Sequence, residues 1–457
     1  MAKSAATQFV CQNCGASYAK WQGQCTECQQ WNTLVEEILT QQSLGKKSSV
    51  KLSKTALSKK MLNFSQVERL SEAKQRFPTA IGELDRVLGG GLVAGVTVLI
   101  GGEPGIGKST LLTQMVLAMA ANNKKDLNIF YVCGEESPNQ ISLRIERMLK
   151  NSQSKNLRGK LSQSLQFITS SDVDEITALM STKKPNLVIV DSIQSVTTSD
   201  LSGASGSVGQ IRESSARLID QAKAQGIPVF LVGHITKDGA IAGPKILEHM
   251  VDTVLLMEGE RSGQLRMLRS LKNRFGASDE VGIFQAVDWG LSEVSNPSEL
   301  FLENQDQAVS GAATVCVMEG TRPLLAEVQA LVVASQLAMP RRVGRGIDLN
   351  RIQVLAAVLQ KHARLALSNY DVFVSAAGGF KLSEPAVDLG LAVAIASSLS
   401  AKKIPQKTVF IGEIGLLGEI RQVAYFERRV KEAKRLGFKK IISAKTHKHI
   451  SQVIKSL

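Results

Sequence analysis

A glycine-rich loop constrains the fold of this chain more than any other feature of the sequence. Residues Gly102, Glu103, Pro104, Gly105, Ile106, Gly107, Lys108 and Ser109 follow the pattern GxxxxGK[ST], and Thr110 comes directly after them as a further candidate for nucleotide contact. The loop comes after an apolar run, 96–100, and opens a helical stretch, 110–121. In this context the backbone N–H groups turn inward around phosphate oxygens, so the segment predicts a nucleotide-binding P-loop. A chance glycine loop is the alternative, and the strand and helix around it disfavour that alternative.

The polar residues of the loop predict ATP and Mg²⁺ as ligands. Lys108 is expected to bridge the β- and γ-phosphates, and Ser109 to hold Mg²⁺. Asp191 ends the apolar run 187–190, which predicts a second group in the Mg²⁺ shell. A purely structural aspartate is the alternative for this residue.

Two further positions at strand ends are candidates for chemistry. Glu135 and Glu136 follow the apolar run 129–132, and a carboxylate there can orient and activate the attacking water. His234 follows the run 229–232 and is a candidate sensor of the γ-phosphate. A structural histidine is the more common outcome.

Apolar runs alternate with helical patterns throughout the central part of the chain. Five runs are apolar on both faces, at 96–100, 129–132, 187–190, 229–232 and 254–257. Such runs are typical of buried parallel strands, so residues 77–294 predict an α/β core with a doubly wound, mainly parallel sheet. A polar linker is predicted at 295–310, followed by a second α/β domain at 311–457.

One helix of the second domain is clear from the sequence. We predict it at 348–367, with Asp348 as its N-cap. Its buried face is expected to carry Ile352, Leu355, Leu359 and Ala366.

Four cysteines near the N-terminus predict a metal module at 1–32. Cys11, Cys14, Cys25 and Cys28 form two CxxC pairs, and four thiolates complete the tetrahedral shell of structural Zn²⁺. An inert reduced cluster is the alternative. Residues 33–76 are interpreted as a basic linker, because 41–76 holds nine Lys and Arg against two Glu. A solvated tether is preferred there over contact with nucleic-acid phosphates.

The overall charge favours a polyanionic partner. Lys and Arg number 55 against 41 Asp and Glu, which gives a net charge of +14. DNA or RNA is the simplest such partner, and a basic protein without one is the alternative. No run of eighteen apolar residues exists and the first ten residues lack a secretory core, so a cytoplasmic location without membrane contact is expected.

Taken in order, these motifs resemble the bacterial RadA (Sms) family of DNA repair and recombination proteins. The resemblance covers nearly the whole chain. It rests on the four-cysteine module, on Leu-Gly-Gly-Gly-Leu at 88–92, on the P-loop, and on Lys-Asn-Arg-Phe-Gly (KNRFG) at 272–276. It implies a RecA-type ATPase core, a homo-hexameric ring moving on single-stranded and branched DNA, and branch migration in recombination. A recombinase or a replicative helicase is the candidate partner of the zinc module.

The resemblance also assigns roles by position. Glu135 matches the catalytic glutamate of RecA-type cores, and Lys272 and Arg274 match the place where such cores donate positive charge across a subunit interface. A basic turn is the alternative for KNRFG. The Ser- and Gly-rich loop at 197–209 is expected to be mobile. That loop and a second one holding Lys237 and Lys245 are candidates to face DNA, with plain surface loops as the alternative.

The C-terminal part resembles the protease domain of Lon, but the catalytic pair is replaced. Ala386 stands at the serine position and Glu427 at the lysine position. We therefore expect no peptide cleavage. Arg341, Arg342 and Arg345, with ten Lys and Arg against two Glu in 427–457, predict a duplex-DNA surface. A solvated basic face is the competing explanation.

The sequence thus predicts an ATP-driven DNA motor with a zinc module before it and a DNA-binding, Lon-like scaffold after it. Two alternatives belong to other classes of protein. One is an ATP-dependent Lon-type protease, and the other is a DNA-binding module that uses its nucleotide as a switch without motor activity.

Overall fold

The computed structural model divides the chain into two compact units, Met1–Glu293 and Val294–Leu457. The described residues are 7–11, 16–27, 29–38, 76–122, 127–150, 157–235, 241–242, 246–259, 264–294, 296–300, 302, 309–377 and 381–457. None of the helices in these ranges combines the length and apolar character needed to cross a bilayer.

The N-terminal residues form a small antiparallel sheet. Its strands are β1 (Thr7–Cys11), β2 (Ser17–Tyr18) and β3 (Leu34–Ile38), in the order β2-β1-β3. Cys11, Cys25 and Leu34 are buried together at its centre, which is the only apolar cluster this small sheet shows among the described residues.

A nine-stranded sheet forms the core of the first unit. Its strands are β4 (Thr97–Gly102), β5 (Ile129–Cys133), β6 (Leu165–Ile168), β7 (Leu187–Asp191), β8 (Val229–Val232), β11 (Thr253–Glu258), β12 (Leu265–Asn273), β13 (Val281–Val287) and β14 (Gly290–Glu293). The order is β14-β13-β12-β11-β4-β8-β7-β5-β6. The six strands from β11 to β6 are parallel, and β12, β13 and β14 extend the sheet antiparallel. Two further short strands, β9 (His234–Ile235) and β10 (Ile241–Ala242), form a separate hairpin.

Helices cover both faces of this sheet. They are α1 (Gly82–Leu88), α2 (Lys108–Asn122), α3 (Pro138–Leu149), α4 (Leu157–Ser164), α5 (Val173–Lys183), α6 (Val208–Gln225) and α7 (Ile246–Met250). Alternate residues of β4 pack into different clusters, Val98 and Ile100 with α2 and α3, and Leu99 with α5 and α6. The predicted doubly wound, mainly parallel sheet is confirmed, and all five apolar runs are strands.

The C-terminal unit contains a six-stranded mixed sheet in the order β17-β18-β16-β15-β19-β22. Its strands are β15 (Ala312–Glu319), β16 (Arg322–Ala334), β17 (Arg342–Arg345), β18 (Tyr370–Ala376), β19 (Thr408–Ile411) and β22 (Lys440–Ser443). A short hairpin joins β20 (Glu413–Ile414) and β21 (Ile420–Arg421). The helices are α8 (Pro297–Leu300), α9 (Leu349–Ala363), α10 (Asp388–Ser400), α11 (Phe426–Arg435) and α12 (Ile450–Lys455).

Helix α9 confirms part of one sequence prediction and corrects the rest. Asp348 is its N-cap, and its carboxylate accepts a hydrogen bond from the Arg351 N–H. The helix ends at Ala363, because Arg364 adopts a left-handed conformation with φ 55°. Ala366 therefore lies beyond the helix and is exposed, so its predicted place on the buried face is wrong.

Candidate active site and the residues around it

The P-loop lies between β4 and α2, as its sequence context predicts. Gly105 and Gly107 have φ of 77° and 118°, which favour glycine. A side chain at Gly102 would place its Cβ 2.7 Å from the carbonyl oxygen of Met257 on the neighbouring strand. Glycine is therefore required here both for the turn and for its close approach to β11.

Lys108 begins helix α2 and is buried, with 4% of its surface exposed. Its ammonium donates hydrogen bonds to the carbonyl oxygens of Gly102 (2.8 Å) and Glu103 (3.0 Å). Burial lowers the pKa of Lys108, and the nearby carboxylates of Asp191 and Glu135 oppose that shift. The charge is thus held over the loop and close to both predicted acidic groups.

Asp191 ends β7 and faces the P-loop serine. Its carboxylate accepts a hydrogen bond from the Tyr131 hydroxyl at 2.7 Å. Burial raises the pKa of Asp191, while the hydroxyls of Tyr131 and Ser109 lower it. A serine hydroxyl and a carboxylate brought together are the hard oxygen donors that Mg²⁺ prefers, so these residues fit the predicted metal.

Glu135 lies just beyond β5 and is fixed from the same strand end. The N–H groups of Gly134 and Glu135 both donate to the Asp191 carbonyl oxygen, at 2.8 and 3.2 Å. The Ser192 hydroxyl donates to Glu135 Oε1. A Cβ on Gly134 would meet the Ser195 hydroxyl at 1.8 Å, so only glycine lets the two strand ends approach this closely. Glu135 itself remains exposed.

The neighbouring Glu136 has a different environment. Both of its carboxylate oxygens accept hydrogen bonds from Arg144 on α3. The sequence offers two candidate glutamates. The charge of Glu135 acts on the pKa of Lys108, whereas Glu136 is paired with Arg144.

Sequence reasoning missed three residues of this site. Tyr131 lies inside an apolar run, where its pattern indicates only a buried strand, and Arg144 lies a helix away. Ser192 could have been noticed, because it directly follows Asp191 at the strand end.

KNRFG lies toward the amino end of β4, away from the P-loop at the carboxyl end of that strand. Lys272 pairs with Val254 across β12 and β11, and Val254 pairs with Leu99 in the middle of β4. The Lys272 ammonium donates to the carbonyl oxygens at the end of α7, Glu248 (2.6 Å), His249 (3.2 Å) and Val251 (2.8 Å). Burial, with a smaller contribution from Arg274, lowers the pKa of Lys272.

Arg274 presents a different picture. Its side chain is 53% exposed, and one guanidinium nitrogen lies 3.2 Å from Asp252 Oδ1. The buried Asp252 is held in turn by the Thr97 hydroxyl (2.8 Å) and N–H (3.1 Å). One guanidinium nitrogen of Arg274 is thus paired with a buried carboxylate, while about half of the side chain lies at the surface.

The loop that follows β7 is more firmly held than its composition predicts. The buried Gln210 side chain donates to the carbonyl oxygens of Thr198, Leu201 and Gly203, and accepts from the Thr198 N–H. Arg217 adds ion pairs to Asp174, Asp200 and Glu213. These contacts do not fit the expected mobility of 197–209, since two buried or half-buried side chains tie the loop to α6.

Some predicted residues fall outside the described part of the chain. They are Cys14, Cys28, Lys237 and Lys245, together with the side chain of His234. Of the zinc ligands, Cys11 and Cys25 are buried, with hydrogen bonds to the hydroxyls of Thr33 and Tyr18, each at 3.2 Å. Two buried thiols facing one small core fit half of a tetrathiolate site.

The turn around Ala386, which matches the nucleophile position of Lon, is held by contacts within the C-terminal unit. Ala386 is 1% exposed. The fully buried Arg429 donates to both carboxylate oxygens of Glu384 and to the Cys316 carbonyl oxygen. Glu427 points to solvent, with 78% of its side chain exposed, and pairs with Lys445 at 2.7 Å. Neither predicted position therefore offers a nucleophile or a buried base.

The arginine cluster of this unit is divided by β17. Arg341 and Arg345 are exposed. The guanidinium of Arg342 donates to the carbonyl oxygens of Arg341 (3.0 Å), Tyr370 (2.6 Å) and Leu367 (2.8 Å). The Arg342 guanidinium is therefore used for hydrogen bonds within the C-terminal unit. Strand alternation directs it away from the face that Arg341 and Arg345 share. Arg429, one of the ten basic residues in 427–457, is likewise internal.

Comparison with known proteins matches this arrangement along the chain. Family profiles described as a rubredoxin metal binding domain, an AAA domain and subunit ChlI of Mg-chelatase match residues 9–36, 64–240 and 345–447. Two solved structures align at low similarity. One, described as an ATPase domain, gives a TM-score of 0.41 at 16% identity over 50% of this chain and 96% of that one. The other, the RadB recombinase, gives 0.37 at 22% identity over 47% and 97%.

Full-length relatives are much more similar. DNA repair protein RadA of Listeria monocytogenes is 47% identical over 441 residues, which is 96% of this chain and 92% of that protein. RadA of Bacillus subtilis is 45% identical over 95% and 92% of the two chains, and RadA of Haemophilus influenzae is 43% identical over 97% and 93%. With its zinc ribbon, P-loop ATPase core and Lon-like C-terminal domain, the chain belongs to the RadA family of DNA repair proteins.

Proposed function

We propose that this ATPase is a DNA-dependent motor of homologous recombination, promoting branch migration as a hexameric ring on single-stranded DNA in the cytoplasm. One observation carries the proposal. The hydrolytic groups lie at the carboxyl end of β4, and the KNRFG cations lie level with its middle and its amino end, so these cations would act on a neighbouring subunit.

Hydrolysis is assigned to the groups around the P-loop. Bound Mg²⁺, held by Ser109 and Asp191, would neutralise phosphate charge. Glu135 accepts the proton of a water molecule as its oxygen attacks the γ-phosphorus, and the bond to the β–γ bridging oxygen breaks to give ADP and phosphate. Lys108 stabilises the negative charge on the β- and γ-phosphate oxygens. The Ser192 hydroxyl keeps the Glu135 carboxylate oriented toward this position.

The strand register supports action of KNRFG in trans. Lys272 is level with Leu99, three residues before the P-loop begins at Gly102, which is about 10 Å along the strand. The Arg274 N–H donates to Asp252, beside Thr97, about 16 Å from Gly102 along β4. Both cations therefore lie well away from the γ-phosphate of their own subunit.

The two cations are proposed to have different tasks. Arg274, half-exposed, is the one placed to reach a neighbour's γ-phosphate, where an added positive charge stabilises the transition state. Lys272 holds the end of α7 through three carbonyl oxygens and supports the turn from which Arg274 extends. Both remain proposed contributors to hydrolysis in the assembled ring.

DNA contact is proposed for the loops after β7 and β8, including Lys237 and Lys245, and for Arg341 and Arg345 in the C-terminal unit. Such contacts release counterions from the phosphate backbone, so affinity should fall steeply with salt and depend little on sequence. The zinc module is proposed to bind one Zn²⁺ through four thiolates and to contact a recombinase or a replicative helicase.

The test follows ATP-driven strand exchange on a three-stranded DNA junction, together with DNA-stimulated ATP hydrolysis. Arg274→Ala should keep nucleotide affinity and lose most of the DNA-stimulated hydrolysis and strand movement. Mixing Arg274→Ala with Lys108→Ala subunits should restore part of the activity, because some interfaces then combine an intact P-loop with an intact Arg274. Mixed rings as inactive as either parent would place the arginine in cis and contradict the proposed arrangement.

Lys272→Met is the matched comparison. It should resemble Arg274→Ala in activity but also increase hydrogen exchange in α7, because three carbonyl oxygens lose their donor. Failure of the wild-type protein to move any junction, with ATP hydrolysis intact, would favour a nucleotide-switched DNA-binding module over a motor.

A further inference from the structure

The buried hydroxyl of Tyr131 has no part in the chemistry assigned above, although it points directly at Asp191. Tyr131 is 1% exposed and lies in an otherwise apolar strand, β5. A phenol hydroxyl in such a place is costly unless it has a hydrogen-bond partner. Phenylalanine would fill the same space without that cost, so the hydroxyl calls for a specific explanation.

We infer that Tyr131 is a positioning residue that fixes the carboxylate of Asp191 for the metal bound with the nucleotide. This inference rests on the ATPase activity and on Asp191 being a metal-shell residue, and it does not depend on DNA or on a ring. No step of the hydrolysis passes through the phenol itself.

The sheet geometry explains why Tyr131 can do this. Tyr131 pairs with Ile189 across β5 and β7, and Asp191 follows Ile189 by two residues, so it lies on the same face of the sheet. The Tyr131 hydroxyl donates to Asp191 Oδ2 at 2.7 Å. Because this hydrogen bond engages one carboxylate oxygen, it restricts rotation of the Asp191 carboxylate.

The surroundings of Tyr131 favour a permanent donor. A phenol is a hydrogen-bond donor and an ionised carboxylate is only an acceptor, so the Tyr131 hydroxyl donates to Asp191. Tyr131 also belongs to the same apolar cluster as Leu111, Leu112 and Met115 of α2, the helix whose first turn carries Ser109.

The ring of Tyr131 is also held in place. It meets Phe167 of β6 edge-on, with 6.3 Å between the ring centres and an interplanar angle of 62°. The ring contact and the hydroxyl contact can be removed separately, which gives the experiment a matched control.

The test uses the full-length protein and a fluorescent ADP analogue, titrated with and without Mg²⁺. In EDTA, Tyr131→Phe should bind the analogue as the wild type does, because the phosphate cradle and Lys108 are unchanged. The Mg²⁺ concentration that gives half of the metal-dependent change should rise about tenfold, the usual effect of losing a hydrogen bond to a metal ligand. Mn²⁺ binding, followed by electron paramagnetic resonance, should weaken to a similar extent.

Two further variants separate positioning from packing. Phe167→Leu removes the ring contact and should leave the Mg²⁺ midpoint unchanged. Asp191→Asn should abolish most of the Mg²⁺ effect, and adding Tyr131→Phe to it should cause little further change, because the phenol acts through that carboxylate.

The outcomes decide the assignment directly. An unchanged Mg²⁺ midpoint in Tyr131→Phe, or an equal loss of affinity with and without Mg²⁺, would overturn it. Additive effects in the double variant would also overturn it, since the phenol would then act independently of Asp191. None of these measurements requires DNA, so a failure of the proposed motor activity would leave this result standing.

Discussion

The P-loop of the core and the turn at 383–388 of the C-terminal unit occupy comparable places, because each leads into a largely buried helix. Their polar groups are used in opposite ways. Around the P-loop, Lys108, Asp191 and Glu135 converge on one edge of the sheet, and the exposed Glu135 carboxylate faces that edge. A ligand that brings phosphates and a metal completes this set.

In the C-terminal turn two arginine side chains form hydrogen bonds with the turn itself. Arg429 engages the Glu384 carboxylate, and Arg351 donates to the carbonyl oxygens of Ser383 and Glu384, both at 2.6 Å. Ala386 supplies only a methyl group. The two turns therefore differ in where their charged side chains are directed: around the P-loop they surround a phosphate-binding loop, and in the C-terminal unit they brace the turn itself.

The largest effect is expected from a substitution in the P-loop. Lys108→Ala removes the charge that meets the β- and γ-phosphates, so ATP turnover should fall by orders of magnitude. The measurement is steady-state phosphate release with saturating ATP and DNA. Lys183→Ala, at an exposed position on α5, serves as the control and should retain normal turnover. Near-normal turnover in Lys108→Ala would contradict the assigned site.

The next largest effect is expected in the stability of the C-terminal unit. Arg429→Met leaves the Glu384 carboxylate and the Cys316 carbonyl oxygen without their buried donor, so the C-terminal unit should lose about 3–5 kcal/mol of unfolding free energy. Urea unfolding followed by hydrogen exchange in α10 gives this value. Arg428→Met, one residue earlier and exposed, should change it by roughly 0.5 kcal/mol or less. Equal effects of the two variants would mean that the buried pair is not what holds the turn.

The sequence predicts these two regions unequally well, for a physical reason. The P-loop and Asp191 carry local patterns, since strand, glycine loop and helix are adjacent in the chain. The two ends of α9 also differ in how well the sequence predicts them. Aspartate is a preferred N-cap residue, so Asp348 marks the start, whereas arginine has no preference for the left-handed conformation with which Arg364 ends the helix. Contacts between distant residues, such as Arg429 with Glu384 or Tyr131 with Asp191, arise only from the packing of separate elements.

Sequence analysis also cannot tell which members of a charged cluster face outward. Arg342 and Arg345 look alike in the sequence, yet one is bonded to three carbonyl oxygens and the other is exposed. Lys272 and Arg274 differ in the same way. Strand alternation separates the first pair, and the carbonyl oxygens around Lys272 separate the second. Neither cause is visible in a count of charges.

A smaller effect should appear in the pH dependence of the C-terminal unit. Burial raises the pKa of Asp388 to about 6, while Arg351, 3.6 Å away, opposes the shift. The folded pKa is above the ordinary value of 3.8, so the stabilisation is complete below about pH 4 and is lost as the pH rises through 6. The difference amounts to at most about 3 kcal/mol, from about 2.2 pKa units at 1.36 kcal/mol each.

The measurement compares Asp388→Asn with the wild type by hydrogen exchange of α10 between pH 4 and 7. The wild type should become less stable relative to the variant as the pH rises, because only its side chain must ionise in a buried place. If the unfolding free energies of the two proteins changed in parallel with pH, Asp388 would ionise at its ordinary pKa, which would contradict the raised pKa.

The last prediction is that one substitution in the C-terminal turn produces no peptide cleavage. Ala386→Ser restores a hydroxyl at the nucleophile position, but amide hydrolysis also needs a base to take its proton. The residue at the base position, Glu427, is 78% exposed and paired with Lys445, whereas Ala386 is buried, so Glu427 is not placed to take the proton of the new hydroxyl. Ser383 lies three residues away, a displacement that near-attack geometry does not tolerate. Incubation of wild type, Ala386→Ser and Ser383→Ala with ATP, DNA and an unfolded protein should give no cleavage in any of the three. Cleavage by the wild type that disappears in Ser383→Ala would make this unit a protease and end the contrast between the two turns.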